Sequence, residues 1–341
     1  MTFDNQIISV IVPIRNEELI IEKFLLSMQE QLIPSKMSLE VILVDGMSND
    51  KTINNIKKFI SENPSFKIEI FKNNQIYTPF AMNIGLKESR GRYICIFGCH
   101  TIYPKDYIQN CFNELNKMDA DCAGGWHINE ISNNSFGGKI VASIQTHKFG
   151  VGNSYKTNYN DGWVDTVAYS MYDKKIFDKV GLFNTKLIRG QDYEMNKRII
   201  KNGGKIWFSS KIKSHYHGKQ NFIQFLKKQL YEEGPFNVYM WNEAPYALGY
   251  RHGITLFFSL GFIIGIILIS FFNFTILNGI YLSIMLLYTL LALASGIQKG
   301  FEYRNLILAI ILPICFFLFH FVHGIGMLRG VFNLILRRGY K

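Results

Sequence analysis

Where the apolar run from Tyr93 to Phe97 gives out, the chain reads Gly98-Cys99-His100, with Pro104 close behind. Open α/β sheets place their ligands at strand ends, where a pair of acids would hold a metal or a phosphate, and this corner carries none. Its one candidate is His100, whose imidazole suits Mn and other transition ions better than Mg. Asp45 closes a second apolar run, with Asp50 five residues on. Asp192, in "GQDYEMNKR", opens a helix-like stretch, and an isolated D-x-E reads plainly as a helix N-cap with Glu194 in the first turn. Asn83 and Lys87 lie one helical turn apart and would share a helix face, although Lys87 reads equally as a solvated surface residue. His215 and His217 are two apart and would share a strand face, either as an ordinary strand pair or as the completion of a metal site.

These positions need a scaffold, and residues 7 to 97 repeat one rhythm. Ile7 to Val12 reads as a buried strand, Glu17 to Gln31 as a helix after Asn16, and Leu39 to Val44 as a second strand ending at Asp45. Lys51 to Glu62 is a helix announced by Ser48 and Asp50, and Lys67 to Phe71 is a short strand. Thr78-Pro79 supplies a cap and a proline-tolerant first position for a helix over Phe80 to Glu88. Tyr93 to Phe97 is the fourth strand. Alternation over such short connections predicts the α/β class, a mostly parallel sheet with helices on both faces. The strand ends at Pro13, Asp45 and Gly98 would line one edge. No G-x-G-x-x-G follows the first strand, which excludes the usual dinucleotide site; the turn reads Pro13-Ile14-Arg15-Asn16-Glu17-Glu18. From Cys111 to about Ala247 the rhythm loosens into aromatic, Gly-rich and Asn-rich stretches suited to substrate-facing loops.

The C-terminal part has a different chemistry. No Asp, Glu, Lys or Arg occurs from His252 to Gln298, nor from Asn305 to Leu328. A membrane span needs about 20 mostly apolar residues, so the first run has room for two spans and the second for one more. Pro313, His320 and His323 make that last segment a candidate interfacial or re-entrant helix, so two spans are expected firmly and a third less so. The opening MTFDNQIISVIVP has no basic stretch leading into an apolar core, so the first 250 residues are expected on the cytoplasmic side of the cell membrane. Net charge is +11, and residues 251 to 341 hold seven Lys and Arg against Glu302 alone, a distribution that fits an anionic membrane face and not a nucleic-acid stripe. Five scattered cysteines suit a reducing compartment without disulfides.

Four segments, in order, carry a resemblance. They are "SVIVPIRNEE", "EVILVDGMSNDKT", "AMNIGLKESRGRYICIFGCHTIYP" and "KVGLFNTKLIRGQDYEMNKRIIKNGGKIWF". Over roughly residues 6 to 240 the chain resembles the inverting family 2 glycosyltransferases of the GT-A fold. The segments match that family's nucleotide-binding turn, its D-G-x-S-x-D-x-T stretch, its N-x-G helix with the D-x-D strand, and its catalytic-acid segment. With the membrane tail, the chain is similar to the exopolysaccharide branch of the succinoglycan glucosyltransferase type.

The resemblance implies a transfer in which a nucleoside diphosphate leaves as an acceptor hydroxyl attacks the opposite face. That requires a base on one side and a positive stabiliser on the other. It places the base at Asp192. It places a nucleotide-sugar pocket, most simply for a UDP-sugar, at Pro13, Arg15, Asn16, Glu17, Asp45, Gly46, Ser48, Asn83, Gly98, Cys99 and His100. Asp45 would read the base edge, whereas Ser48 and Asp50 also read as caps of the following helix. Gly98 stands at the first acid of D-x-D and His100 at the second, a pattern similar to the D-A-H of exopolysaccharide relatives, with Cys99 a spacer packed inward. Three readings of His100 stand at this point: a ligand to a divalent cation, Mn or Mg; a direct phosphate contact; a bystander in an inactive relative. Gln191 falls on the acceptor side, and "FIQFLKKQLYEEGPF" resembles a post-catalytic helix whose Gln229 and Gly234 close over the acceptor. Phe222, Phe225 and Leu226 read as the packing face of an amphipathic helix near the bilayer. Trp126, Trp163 and Trp207 are candidates to stack on a sugar or ordinary core residues.

The expectation is a membrane-anchored inverting transferase with a nucleotide-sugar half over residues 1–110, an acceptor half over 111–250 and a membrane region over 251–341. It would add single sugars to a lipid-linked or membrane-associated glycan, because the processive synthases' Q-x-x-R-W is absent. The rival is a catalytically inactive transferase-like scaffold that binds nucleotide or a partner enzyme. A transporter lacks any evident repeat in its favour.

Overall fold

The computed structural model describes residues 4–62, 66–131, 135–152, 157, 160–218, 221–247, 249–272 and 275–336. These fall into two compact units, one within Met1–Glu130 and Tyr159–His217, the other within Ile131–Asn158 and Gly218–Lys341.

The first unit begins with β1 (Asp4–Ile14), α1 (Ile21–Gln29), β2 (Ser38–Asp45), α2 (Thr52–Glu62), β3 (Lys67–Lys72), α3 (Thr78–Glu88) and β4 (Gly91–Ile96). Strands β3, β2, β1 and β4 pair in parallel in that order, with Ile14 beside Asp45 and Ile11 beside Ile96. The strands are apolar on both faces because both faces are covered. Ile8, Val10, Val12, Val41 and Leu43 pack with Ile21, Phe24, Leu25 and Ile56 of α1 and α2, whereas Ile42 and Val44 pack with Ala81 of α3. Helix α3 comes so close to the sheet that a Cβ on Gly85 would lie 2.3 Å from Ile11 Cγ2, which is why the N-x-G helix needs its glycine.

The chain continues through β5 (Thr101–Ile102), α4 (Tyr107–Lys117) and β6 (Cys122–Ile131), then leaves for α5 (Phe136–Thr146) and α6 (Lys148–Val151) of the second unit. It returns for β7 (Gly162–Trp163), β8 (Met171–Asp173), α7 (Lys175–Val180), α8 (Gln191–Lys201) and β9 (Ile206–Gly218). The sheet order is β3-β2-β1-β4-β8-β6-β9-β5, with β7 on β9. The pairs β4 with β8, β6 with β8 and β5 with β9 are antiparallel, so the α/β sheet is parallel in its first half and mixed as a whole.

The second unit adds α9 (Phe222–Lys228), a π-helical turn (Gln229–Glu233), α10 (Gly234–Glu243), α11 (Tyr250–Phe271), α12 (Thr275–Glu302) and α13 (Leu306–Ile335). Among the described residues three helices are long and apolar enough to cross a membrane, Gly253–Phe271, Thr275–Glu302 and Leu306–Ile335. The last of these, expected as an interfacial or re-entrant helix or a third span, is one continuous helix, and its three awkward residues have local solutions. Pro313 has no N–H for the Ala309 carbonyl, and that carbonyl faces Gly296 of α12, where a Cβ would lie 2.7 Å from it. His320 Nε2 donates to the Gly150 carbonyl at 3.2 Å, leaving Nδ1 to accept from Tyr288 Oη at 2.9 Å. His323 lies between Thr255 Oγ1 at 2.8 Å and Asn237 Nδ2 at 3.1 Å.

Candidate active site at the sheet edge

The turns after β1 and β2 are laced together. The Asn16 N–H donates to Ser48 Oγ at 2.9 Å, and Asn16 Oδ1 accepts from the Asn49 N–H at 2.9 Å. The Glu17 N–H donates to Thr52 Oγ1 at 2.6 Å and the Glu18 N–H to Asp50 Oδ2 at 3.2 Å. These cross-turn bonds hold residues 15–18 out of the helix, so α1 starts at Ile21 and not at Glu17. Asp50 also accepts from the Thr52 N–H at 2.9 Å, the capping role that its position at the start of α2 allowed. Burial works against its ionisation, but the hydrogen bonds from Thr52 and Glu18 hold its carboxyl below the usual range. Asp45 is buried at the end of β2, where its carboxylate accepts from the Ser48 N–H at 3.1 Å. Gly46 donates to the Ile14 carbonyl at 2.8 Å, and a Cβ there would lie 2.8 Å from the Ile76 carbonyl oxygen. Pro13 is half-buried, and Arg15 stands exposed on the rim.

Backbone strain marks the same edge. Asn16 (φ 55°), Met47 (φ 64°), Ile76 (φ 68°) and Tyr169 (φ 48°) all take left-handed conformations, which sterics disfavour for residues with a Cβ and which concentrate at functional sites. At the opposite end of the strands lies an open cleft of about 740 Å³ lined by Gln31, Glu40, Lys67 and Arg90 among others. Its buried acid is fully engaged: Glu40 accepts from Ser9 Oγ at 2.5 Å and from Arg90 Nη2 at 2.6 Å. That cleft's acid is taken up by structure, and the carboxyl edge of the strands is where open α/β sheets place their ligands.

At the end of β4, the Gly98 N–H donates to Tyr103 Oη at 2.9 Å, and the Tyr103 ring stacks on Phe97 at 4.0 Å. Cys99, expected among the donor-binding residues, instead points into the hydrophobic core, as its spacer role required. Burial, with the charge of Glu17 adding to it, pushes its thiol well above the ordinary range. His100 turns outward, its side chain 61% exposed, with Nε2 3.1 Å from Oε1 of the largely buried Glu17. The hydrogen bond to Glu17 raises His100 above its ordinary pKa; partial burial opposes this and the Glu17 charge reinforces it. In β9, Tyr216 stands opposite Thr101 and His215 opposite Ile102, so this strand runs beside the His100 corner. The His217 side chain lies outside the described residues.

Helix α8 separates its acids. Glu194 is fully buried and forms a two-pronged pair with Arg198, Oε1 to Nε and Oε2 to Nη2 at 2.8 Å each. Asn196 accepts from Tyr172 Oη at 3.1 Å and donates to Thr166 Oγ1 at 3.0 Å, tying the helix to β8, the strand beside β4. The N-cap is Gly190, in the left-handed conformation (φ 65°), so Asp192 is not the capping residue. Asp192 stands exposed on the first turn, next to half-buried Gln191.

Other expected site residues stand in varied settings. The Asn83 side chain closes a two-way bond with Phe183, Nδ2 to O at 2.9 Å and Oδ1 from N at 2.8 Å, so its amide clamps that loop. Lys87 is exposed at the end of α3. Gln229 is buried in the π-helical turn, and a Cβ on Gly326 of α13 would lie 2.6 Å from the Gln229 carbonyl oxygen, so this segment is packed onto α13. Trp207 donates to Glu114 at 3.0 Å and Trp126 meets Phe208 edge-on at 5.8 Å, both half-buried, while Trp163 stays 53% exposed against Trp207. The residues missing from the sequence reading are Tyr169 and His127, whose rings lie 4.6 Å apart, with Tyr169 directly over Gly98.

Comparison with known proteins places this geometry. The Glycosyl transferase family 2 model matches residues 9–181. The dolichyl N-acetyl-alpha-D-glucosaminyl phosphate 3-beta-D-2,3-diacetamido-2,3-dideoxy-beta-D-glucuronosyltransferase of Methanococcus voltae is 31% identical over 338 residues, covering 95% of this chain and 97% of that protein. The succinoglycan biosynthesis protein ExoA of Rhizobium meliloti is 23% identical over 217 residues, 63% of this chain and 64% of that protein. The mannosyltransferase PcManGT of Pyrobaculum calidifontis, solved with GDP-Man and Mn2+, superposes with a TM-score of 0.57 at 14% identity, over 99% of this chain and 89% of that one. The chain is therefore a glycosyltransferase with a GT-A-like α/β fold, and it belongs to glycosyl transferase family 2.

Proposed function

We propose that this transferase moves one sugar, with inversion, from a nucleoside-diphosphate donor, UDP-linked by preference, to a sugar carried on a membrane lipid phosphate. Asp192 is the base. The observation that carries this reading is the difference in burial on α8: Glu194 is fully buried against Arg198, while Asp192 is exposed to solvent on the first turn. A carboxylate there takes the proton of the attacking hydroxyl as the bond to the anomeric carbon forms and the nucleoside diphosphate departs. Asp45, buried at the end of β2, orients the base of the nucleotide, with the Asn16–Ser48 lacing as the frame of that pocket.

A divalent cation fits the corner. An imidazole nitrogen and a carboxylate oxygen 3.1 Å apart, His100 and Glu17, are a donor set suited to Mn. Among the described residues no cluster of three metal-ligating side chains exists, so the pair would need substrate phosphates to complete a shell. When bound, the cation neutralises charge on the departing diphosphate. The acceptor class is supported by the full-length relative named for transfer onto dolichyl N-acetyl-glucosaminyl phosphate and by the three apolar helices, which would keep the enzyme at the membrane. We place the catalytic unit on the cytoplasmic face, with the apolar helices as a multi-pass anchor. The test is a screen of the purified full chain against UDP- and GDP-sugars with a prenyl-phosphate-linked sugar acceptor, with and without Mn. Transfer by the wild type and its loss in D192N are expected. Equal transfer by D192N overturns the base assignment, and transfer by neither points to the inactive scaffold.

A further inference from the structure

Tyr169 is the residue of the donor corner that no motif announces. Its backbone is left-handed (φ 48°), a conformation unusual for a bulky side chain. It is held there: Tyr107 Oη donates to the Tyr169 carbonyl at 2.7 Å, and the Tyr103 ring meets the Tyr169 ring edge-on at 6.0 Å. The His127 ring packs at 4.6 Å and is itself fixed by Ser214 Oγ, 3.1 Å from its Nδ1. The result is a ring laid over Gly98, where a Cβ would lie 2.9 Å from Tyr169 Cε1 and 3.2 Å from its Oη. Any side chain at position 98 would press on the edge of that ring and force a shift. The glycine at this strand end thus leaves room for an aromatic ring supplied from the segment that leads into β8, the strand paired with β4.

We propose that Tyr169 is a donor-specificity residue, its ring replacing the first acid at the strand end and giving the donor's ribose and diphosphate a neutral aromatic wall where a carboxylate would stand. The proposal rests on the assignment of the Gly98 to His100 corner to the donor. A carboxylate at position 98 would repel the diphosphate unless a cation stood between them, whereas an aromatic ring brings no net charge. The exchange lowers the negative charge at the corner and leaves the His100–Glu17 pair alone to meet a cation.

The experiment measures UDP and GDP affinity by calorimetry on the detergent-solubilised full chain, at several Mn concentrations. Y169F should bind within about threefold of wild type, because the ring is kept, and Y169N should bind about tenfold or more weakly. Asn accepts left-handed backbone, so the Y169N melting temperature should fall only by what the lost ring packing on Tyr103 and His127 costs, and the protein should stay folded at the temperature of the titration. G98D should lose nucleotide affinity because its side chain meets the ring. Y169N/G98D should regain it, now with a steeper dependence on Mn. Wild-type affinity in Y169N, wild-type affinity in G98D, or strictly additive effects in the double variant would each overturn the proposal. Failure of the wild type to bind either nucleotide would overturn the donor-corner reading itself.

Discussion

His100 Nε2 lies 3.1 Å from Glu17 Oε1, joining the turn after β4 to the turn after β1 across the edge where the parallel strands end. The pair is asymmetric: the carboxylate is largely buried and the imidazole is mostly in water. Glu17 therefore fixes one nitrogen of a ring that remains open to a ligand. H100A and E17Q should each weaken Mn-dependent nucleotide binding by about tenfold, with a double variant little worse than either single, since neighbours that act together are not additive. Titration calorimetry with and without Mn checks this. Unchanged Mn dependence in both singles would remove the pair from the cation site.

The two acids of α8 should fail in opposite ways. D192N should cut the transfer rate by about 100-fold or more while leaving nucleotide affinity and melting temperature near wild type, the signature of a lost general base. E194Q disturbs a buried pair with Arg198, which also bonds the Val180 and Leu182 carbonyls at 2.7 and 2.8 Å. It should cost about 3 kcal/mol of stability. Transfer kinetics set beside thermal unfolding separate the two, and a stable but inactive E194Q would reverse the assignment.

The alternating strands and helices of residues 7–97 were legible because each signal is local: an apolar run, a turn residue, a proline after a threonine. The start of α1 was not, since Glu17 and Glu18 are claimed by Thr52 and Asp50 on another turn, and no pattern within residues 15–20 reports that. The antiparallel half was illegible for a related reason. Strands β5, β7 and β8 are two or three residues long and exist only through distant partners. Asp192, His100, Asn83 and Gln229 could all be singled out by motif, but no motif announced that the Asn83 amide is bonded to Phe183 or that Gln229 is buried. Tyr169 has no sequence signal, because its meaning is its position over Gly98.

Acid should loosen the opposite end of the sheet. Burial would raise the Glu40 carboxyl, but hydrogen bonds from Ser9 and Arg90 and the Arg90 charge outweigh it and hold the pKa below the usual range. The folded state therefore binds a proton at Glu40 less readily than the unfolded chain does. The stabilisation is complete above the ordinary carboxylate pKa, about 4.3, and is lost as pH falls through the lower folded value. E40Q should cost about 2 kcal/mol at neutral pH, and part of the acid-induced loss should vanish with it. Thermal unfolding of both proteins from pH 7 to pH 3 measures the difference, and parallel curves would contradict it.

The contact between α12 and α13 should depend on one glycine. Gly296 receives both the Ala309 carbonyl freed by Pro313 and the proline ring, whose Cδ would lie 2.9 Å from an added Cβ. A Cβ placed on Gly279 of the same helix would meet nothing within 4 Å. Small residues are what allow apolar helices to approach when the surrounding lipid is as apolar as they are. G296V must push the helices apart or strain α13, at a cost of about 2 kcal/mol, while G279V should be nearly neutral because its side chain enters open space. Thermal unfolding of the two variants in the same detergent gives the comparison. A melting temperature lowered in G296V and kept in G279V is expected, and equal loss in both would mean that the close approach at Gly296 is not what holds these helices together.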